Sequence, residues 1–426
     1  MKNDILLPSP LRVLQSLWEN VQTYIYWQRC LGSVFRILLG FGAGTLIGFG
    51  LSLLFERFTL LRDLFSPILY LFKTIPVACV AVLILIFANA KWLVFWITFS
   101  VVTPQIVMVM ESGLRNVPAP MHEMGKMYHF SYLETLCFIK RPSYAEGLKQ
   151  GLKLSLETSF KAGISAEIIG LPLKSIGEGI YLKKIYYDTA GVLGYVLTIL
   201  LLAFICRVLL GCVTYLTEKR AYGYHLVSRK RRIKENYGFL CLDGITVCYG
   251  ERVVLAEKSM DCKQGSRYLI TAPSGKGKTT LLKVLAGMHK VREGTCKNAI
   301  PVTMLFQEDR LVEKADALTN VLLGMRERNR GEALAALKRI GIEESDCTGK
   351  LVQDFSGGMK RKVAVARALL SAPANGLILL DEPFASVDKD SEEIIFSEIL
   401  AGVEGKTCVL VSHTRENAAT FTRIDL

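Results

Sequence analysis

FSGGMKRKVAVARALL, residues 355–370, followed shortly by LILLDEP, residues 377–383, decides the fold of the second half of this chain. LILLD is an unbroken apolar run ending in Asp381, which reads as a strand buried on both faces within a parallel sheet. Asp381 then emerges at the strand's carboxyl end, where open α/β sheets bind their ligands. Upstream, APSGKGKTT (272–280) has the spacing of a loop that wraps phosphate. Gly275 and Gly277 let backbone N–H groups turn inward, and the helix behind them adds the positive end of its dipole. Lys278 would reach the β- and γ-phosphates of a nucleotide, and Thr279 would place its hydroxyl on Mg²⁺. Ser274, Lys276 and Thr280 complete the loop. Ala272 stands at the first glycine position of GxxxxGK[ST], and its Cβ disfavours positive φ. If that position needs positive φ the loop is strained; otherwise alanine is harmless.

Further motifs fall in a fixed order around these two: VCYGERVVL (247–255), MLFQEDRL (304–311), ASVD (385–388) and VSHT (411–414). Taken singly, a Tyr near a strand is more often packing and an isolated His more often an ordinary surface or core residue. In register with the phosphate loop, the Ser-Gly-Gly helix start and the Asp-Glu strand end, they resemble the nucleotide-binding domain of ABC transporters. The resemblance implies that Tyr249 stacks on adenine and that Asp381 and Gln307 join Thr279 around Mg²⁺. It also implies that Glu382 polarises the attacking water, that His413 contacts the γ-phosphate and that Asp388 communicates across a dimer. Ser356, Gly357 and Gly358 would face the ATP held by an opposite subunit. One set of motifs per chain therefore implies a homodimer with two ATP sites.

The 426 residues are 51% hydrophobic with a net charge of +13, and the apolar excess is concentrated in the first half. Lys219, Arg220, Arg229, Lys230, Arg231, Arg232 and Lys234 cluster directly after an apolar segment. This placement reads as a basic flank beside anionic lipid and argues against nucleic acid as a partner. The 11 cysteines show no CxxC spacing, which excludes a disulfide framework or a zinc site as the organising principle. No secretory signal is legible at the start of the chain.

Residues 37–55, 92–110 and 192–215 each supply the roughly 20 apolar residues that a membrane span needs. Residues 67–90 make a further candidate. Residues 152–171 are weaker, because they hold Lys153, Glu157, Lys161 and Glu167. Glu157 and Lys161 are spaced for mutual pairing on a helix, and a place along a substrate path is the other reading. Ala162, Gly163 and Ala166 suit close helix packing in lipid.

The loop 120–152 resembles the cytoplasmic coupling loop of ABC importer permeases. Glu123, Met124 and Gly125 stand for its Glu-Ala-Ala, Pro142 for the proline that ends the element, and His129 for its usual glycine. Residues 161–191 and 6–19 resemble permeases of the nitrate, sulfonate and taurine importer group, which includes transporters of thiamine pyrimidine precursors. The expected fold is multi-domain: an all-α polytopic membrane domain of type I importer kind with about five spans, then an α/β P-loop ABC ATPase domain. Residues 1–30 form an amphipathic start, 31–217 the permease with coupling loop 111–151, 218–236 a basic linker and 237–426 the ATPase.

The resemblance implies ATP-driven uptake of a small anionic or heterocyclic solute across the cytoplasmic membrane. Partners would be a second copy of the chain, an extracytoplasmic solute-binding protein and membrane lipid. With the ATPase in the cytoplasm and three spans before the loop, the N-terminus falls outside. The alternatives are an ABC exporter half-transporter, which this compact membrane half argues against, and a regulatory ABC ATPase that does not transport.

Overall fold

Ser9 accepts a hydrogen bond from the Arg12 amide at 3.4 Å, and Pro10 occupies the first helical position. That combination starts a helix where its first N–H groups lack partners, and it begins the described chain. The computed structural model describes residues 8–87, 89–221, 240–273, 275–298, 300–412 and 420–426. It divides into two units, one of Met1–Val117 with Lys140–Arg220 and one of Pro118–Ile139 with Ala221–Leu426. The loop segment Pro118–Ile139 thus groups with the ATPase-like part of the chain and not with the helices it interrupts.

The first unit is helical. Its elements are α1 (Pro10–Val21), α2 (Tyr24–Arg57), α3 (Thr59–Thr74), α4 (Val77–Phe87) and α5 (Ala90–Arg115). After α6 (Ala119–Met127) and the single turn α7 (Tyr132–Glu134) of the other unit come α8 (Arg141–Gly170), α9 (Ile176–Ile185) and α10 (Thr189–Ala221). Among the described residues, Tyr24–Arg57, Ala90–Arg115 and Thr189–Thr217 are long and apolar enough to cross a membrane. On α10, Leu200, Leu201 and Phe204 are each about 60% exposed, as a helix facing lipid would be.

The candidate span 67–90 is not one straight helix. Thr59–Phe72 and Val77–Phe87 meet at 103°. The cause is local: Pro76 has no amide hydrogen to give, and Ile75 before it is extended at ψ 130°. If that bent pair is one span, the total among the described residues is four; α8, which covers residues 152–170 of the expected fifth span and its four charged side chains, is not apolar enough to count with them.

Close helix contact organises this unit. Gly40, Gly44 and Gly48 recur one turn apart on the buried face of α2. A Cβ on Gly40 would lie 1.7 Å from Thr98 Oγ1, and one on Gly44 2.9 Å from Val102 Cβ, both on α5. Backbones approach this closely only where side chains are absent. On α8, Ala162 and Ala166 are buried as their size predicts, and a Cβ on Gly163 would come 2.7 Å from Ile37.

Glu157 pairs with Arg207 of α10 and not with Lys161. A lone guanidinium on an apolar helix is the costlier charge, and it takes the carboxylate. Glu167 is fully buried and accepts from Ser33 Oγ (2.7 Å), Arg36 Nη2 (3.0 Å) and the Gly177 amide (3.1 Å). Its charge therefore closes α2, α8 and α9 on one another. Pro142 lies in the first turn of α8, where a missing N–H costs nothing, three residues after the loop segment ends at Ile139.

The second unit carries an antiparallel sheet of β1 (Leu240–Tyr249), β2 (Arg252–Cys262) and β4 (Glu293–Asn298) in the order β2-β1-β4. A parallel sheet combines β3 (Arg267–Thr271), β5 (Val302–Leu305), β6 (Leu377–Asp381), β7 (Thr407–Val411) and β8 (Thr422–Asp425) in the order β5-β6-β7-β3-β8. LILLD is β6, buried at every residue and paired on both sides. Helices α11 (Lys278–Leu285), α12 (Ala317–Gly324), α13 (Arg330–Arg339), α14 (Glu344–Cys347), α15 (Gly357–Ser371) and α16 (Lys389–Gly402) complete the unit. Val363, Val365, Leu380 and Leu410 lie in the core where helices meet this sheet.

Candidate functional site

The carboxyl ends of β3 and β6 open onto a cleft of about 610 Å³. It is lined by Tyr249, Gly275, Gly277, Lys278, Thr279, Thr280, Gln307, Asp381 and Glu382. Nine residues that the sequence assigns to one nucleotide thus share one surface, although they come from segments far apart in the chain. Ser274, His413 and most of the basic linker lie outside the described residues.

The loop after β3 turns through Gly275 (φ 83°) and Gly277 (φ 88°) before α11 begins. A Cβ on Gly277 would meet Leu255 at 2.8 Å, so both conformation and space require glycine there. Ala272 is not in the left-handed region; the strain its Cβ could have caused does not arise. Lys278 is nearly buried, and its Nζ donates to the carbonyls of Ala272 (2.7 Å) and Pro273 (3.2 Å). Lys276 is exposed. Tyr249 is half-exposed and meets the His289 ring edge-on at 4.6 Å, leaving much of the ring open.

Asp381 is 1% exposed. Burial pushes its carboxyl above the ordinary range, against a hydrogen bond from Thr279 and the nearby Arg361 and Lys278 charges; Glu382 adds to the upward push. Its Oδ2 has no hydrogen-bond partner among the described residues. A buried carboxylate oxygen of this kind, beside the Thr279 hydroxyl and the Gln307 amide, is a hard-oxygen set that fits Mg²⁺. Thr279, Gln307 and Asp381 are the residues that would hold it. Among the described residues no three His, Cys, Asp or Glu side chains gather to hold a metal unaided.

Glu382 follows with φ 50°, a left-handed backbone on a residue that has a Cβ. Such conformations persist where surrounding contacts over-determine them. Here the Glu382 amide donates to Val411 O at 3.0 Å, and its carbonyl accepts from Arg361 Nη2 at 2.5 Å.

Ser356 caps α15, accepting from the Met359 amide at 3.3 Å. Ser356 and Gly357 are exposed and do not line the cleft of their own chain. Asp388 caps α16 through the Ser391 amide (3.2 Å), and its hydrogen bonds with Ser391 hold its carboxyl below the usual range.

Two arginines within residues 355–370 are buried despite their charge. Arg361 and Arg367 are each 1% exposed. Arg361 spans Phe306, Gln307, Asp309, Asp381, Glu382 and Pro383. Burial lowers its pKa, and the Asp309 carboxylate opposes that shift. Arg367 donates to the carbonyls of Arg310 and Asp309, both at 2.9 Å. The signal available in sequence was the spacing of these residues: they share α15 with Val363, Ala364, Val365 and Ala366, all of them buried.

The loop residues compared with an importer coupling element lie within the second unit. Glu123 accepts from Arg310 Nη1 at 2.8 Å, three residues beyond Gln307. Tyr128 donates to Met304 O at 3.0 Å, and the Arg367 guanidinium stands 4.6 Å from its ring. Glu134 pairs with Arg328. A Cβ on Gly125 would lie 2.5 Å from Ile139, and His129 adopts φ 53°. That positive φ is a physical reason for glycine at this position.

Comparison with known proteins follows the same division. Residues 255–385 match the family described as "ABC transporter", and residues 40–221 match the "Binding-protein-dependent transport system inner membrane component". The aliphatic sulfonates import ATP-binding protein SsuB 1 of Rhodococcus jostii (strain RHA1) is 35% identical, over 43% of this chain and 76% of its own length. The spermidine/putrescine import ATP-binding protein PotA of Bacteroides fragilis (strain YCH46) is 29% identical, over 45% of this chain and 44% of its own. The chain spans 44–60% of the first curated relatives it matches. A solved dimeric bacterial ABC transporter cassette is 29% identical, over 44% of this chain and 94% of that one, with TM-score 0.40.

Proposed function

Because this chain belongs to the ABC transporters, with a binding-protein-dependent permease and an ABC ATPase joined in one polypeptide, we propose that it hydrolyses ATP to import a small solute. One observation carries the proposal: Lys278, Thr279, Gln307, Asp381 and Glu382 share a single cleft, and the loop leaving it grips Glu123 through Arg310. In this reading that contact links the nucleotide site to the segment that belongs, in sequence, to the permease.

In this reading the loop amides and Lys278 bind the β- and γ-phosphates, and Tyr249 packs on the base. Glu382 orients and polarises water for attack on the γ-phosphorus, with ADP leaving. Mg²⁺, when bound with ATP, supplies positive charge at the phosphates. Ser356, Gly357 and Gly358 complete the site of a second copy, His413 contacts the γ-phosphate, and Asp388 lies at the junction between copies. Closure of the two ATPase domains moves Glu123, Gly125 and the rest of the 111–151 loop, and with it the membrane helices; hydrolysis resets them. The ATPase faces the cytoplasm, and an extracytoplasmic binding protein delivers the solute to the outer side of the cytoplasmic membrane. The likeness of residues 161–191 to the nitrate, sulfonate and taurine group, and the sulfonate relatives, support a small anion or heterocycle as cargo.

The test is purification from the native membrane in mild detergent, followed by mass spectrometry of what accompanies the chain. An associated binding protein carrying a small organic acid, which raises ATPase turnover when added back, is the expected result. A bare pair of chains whose ATPase responds to no extracytoplasmic protein would remove import and leave an exporter.

A further inference from the structure

Arg361 receives no role in the reading above, yet its guanidinium gathers six oxygen atoms from two separate loops. Nη2 donates to Asp381 O (2.6 Å) and Glu382 O (2.5 Å), and Nε to Pro383 O (3.3 Å). Nη1 donates to Phe306 O (2.9 Å), Gln307 O (3.2 Å) and Asp309 Oδ1 (3.0 Å). All five N–H donors of the fork are engaged at 1% exposure. Lysine offers three donors from one nitrogen and cannot span both loops.

The two loops matter because they carry the groups on either side of the reacting phosphate. One bears Gln307. The other bears Asp381 and Glu382, and Glu382 keeps a left-handed backbone at φ 50°. Its amide donates to Val411 O, and its carbonyl accepts from the Ala385 amide (3.1 Å) and from the Arg361 guanidinium. Without Arg361 the carbonyls of Asp381 and Glu382 lose a charged donor, and the strained turn keeps only neutral backbone bonds such as those with Val411 and Ala385.

We propose that Arg361 is the positioning residue of the hydrolytic step, holding the Glu382 backbone in its left-handed conformation and fixing the Gln307 loop to the same fork. The inference rests on the ATPase reading given above. Arg361 does not line the cleft; it acts through Glu382 and Gln307. Its helix also begins one turn earlier at the exposed Ser356, so the geometry of the cleft is tied to the segment offered to a second copy.

The experiment compares full-length wild type, R361Q and R361K in detergent, measuring kcat, KM for ATP and equilibrium ATP binding, and repeats ATP binding with R361Q added to E382Q. The expected result is a kcat lower by roughly tenfold or more in R361Q, with KM and ATP affinity within about twofold of wild type. R361K recovers only part of the loss. R361Q leaves ATP retention by E382Q unchanged, because the two residues act as one unit. A merely structural role would weaken ATP binding in both backgrounds, and that result overturns the proposal. So does a kcat for R361Q equal to wild type. If R361Q does not fold, D309N decides, since it removes only the ionic partner at a partly exposed position. A reduced kcat at constant KM supports the proposal, and an unchanged kcat overturns it. Wild type that binds ATP without turnover takes down the function itself and this inference with it; unchanged kcat in a working wild-type background takes down the inference alone.

Discussion

Glu382 and Asp381 sit side by side at the end of a buried strand, and their environments differ. Glu382 lines the cleft with its backbone fixed at both ends. Replacing it with glutamine keeps shape and removes the acceptor for a water proton. Glu382→Gln should therefore retain ATP while turnover falls by roughly 10²-fold or more, read as steady-state ATPase and trapped nucleotide. Turnover near wild type would reassign the base. Asp381 has a folded pKa above its unfolded value because it is buried. The fold is then most stable below the unfolded pKa, and that advantage is lost as pH rises through the folded pKa. At neutral pH without Mg²⁺ the charge is a cost, which the cation offsets. Asp381→Asn should raise the melting temperature in chelator by roughly 2–4 °C while abolishing Mg²⁺-dependent hydrolysis; a lower melting temperature in chelator would contradict the assignment. At this scale the cleft residues were legible because each occupies a fixed place in a motif. Arg361 was not, because its partners are mostly backbone carbonyls, which leave no trace in residue identity. For the same reason Asp388 and Ser356 read as contact residues, and their capping bonds to Ser391 and Met359 emerge only from the backbone.

The helices show what periodicity reveals and what it hides. Apolar length identified α2, α5 and α10, because a span needs only composition. The pairing of α2 with α5 rests instead on Gly40, Gly44 and Gly48, a four-residue spacing inside a run that reads as uniformly apolar. Gly40→Val would drive its side chain into Thr98, 1.7 Å from where Cβ must sit. Overpacking of this kind should cost about 1–3 kcal/mol, seen as earlier thermal inactivation in detergent with ATP binding unaltered. An unchanged profile would mean that the helices do not pack as described. The hydropathy of 67–90 is continuous and carries no sign of a break, whereas Pro76 breaks it for a reason of hydrogen bonding. The α6 segment carries a sharper test, since Glu123 meets Arg310 at 2.8 Å. Glu123→Arg should uncouple the protein, with ATPase persisting and uptake into vesicles reduced by about tenfold. Adding Arg310→Glu reverses both charges and should restore part of the uptake; equal uptake in the single variant and wild type would remove the pair from coupling.

At the scale of the whole molecule, the decisive property is what one chain lacks. Its cleft is built from its own Lys278, Gln307 and Asp381, but Ser356 and Gly357 stand exposed at the start of α15 and contribute nothing to it. In the proposed function the Gly357 and Gly358 amides at this helix start face an anion held by a second copy. The economical arrangement is two-fold symmetric, each copy lending its α15 start to the other. Two chains of 47.4 kDa should therefore form the active particle, with about two ATP retained per pair in Glu382→Gln. Substituting Gly357 with glutamate places a negative charge where the partner's γ-phosphate would lie, and should abolish turnover while leaving Mg²⁺-free ATP binding to the chain's own cleft intact. Native mass spectrometry with nucleotide counting separates the possibilities. A single chain that hydrolyses ATP at the full rate, or a Gly357→Glu variant that turns over normally, would mean that the cleft is complete without a second copy.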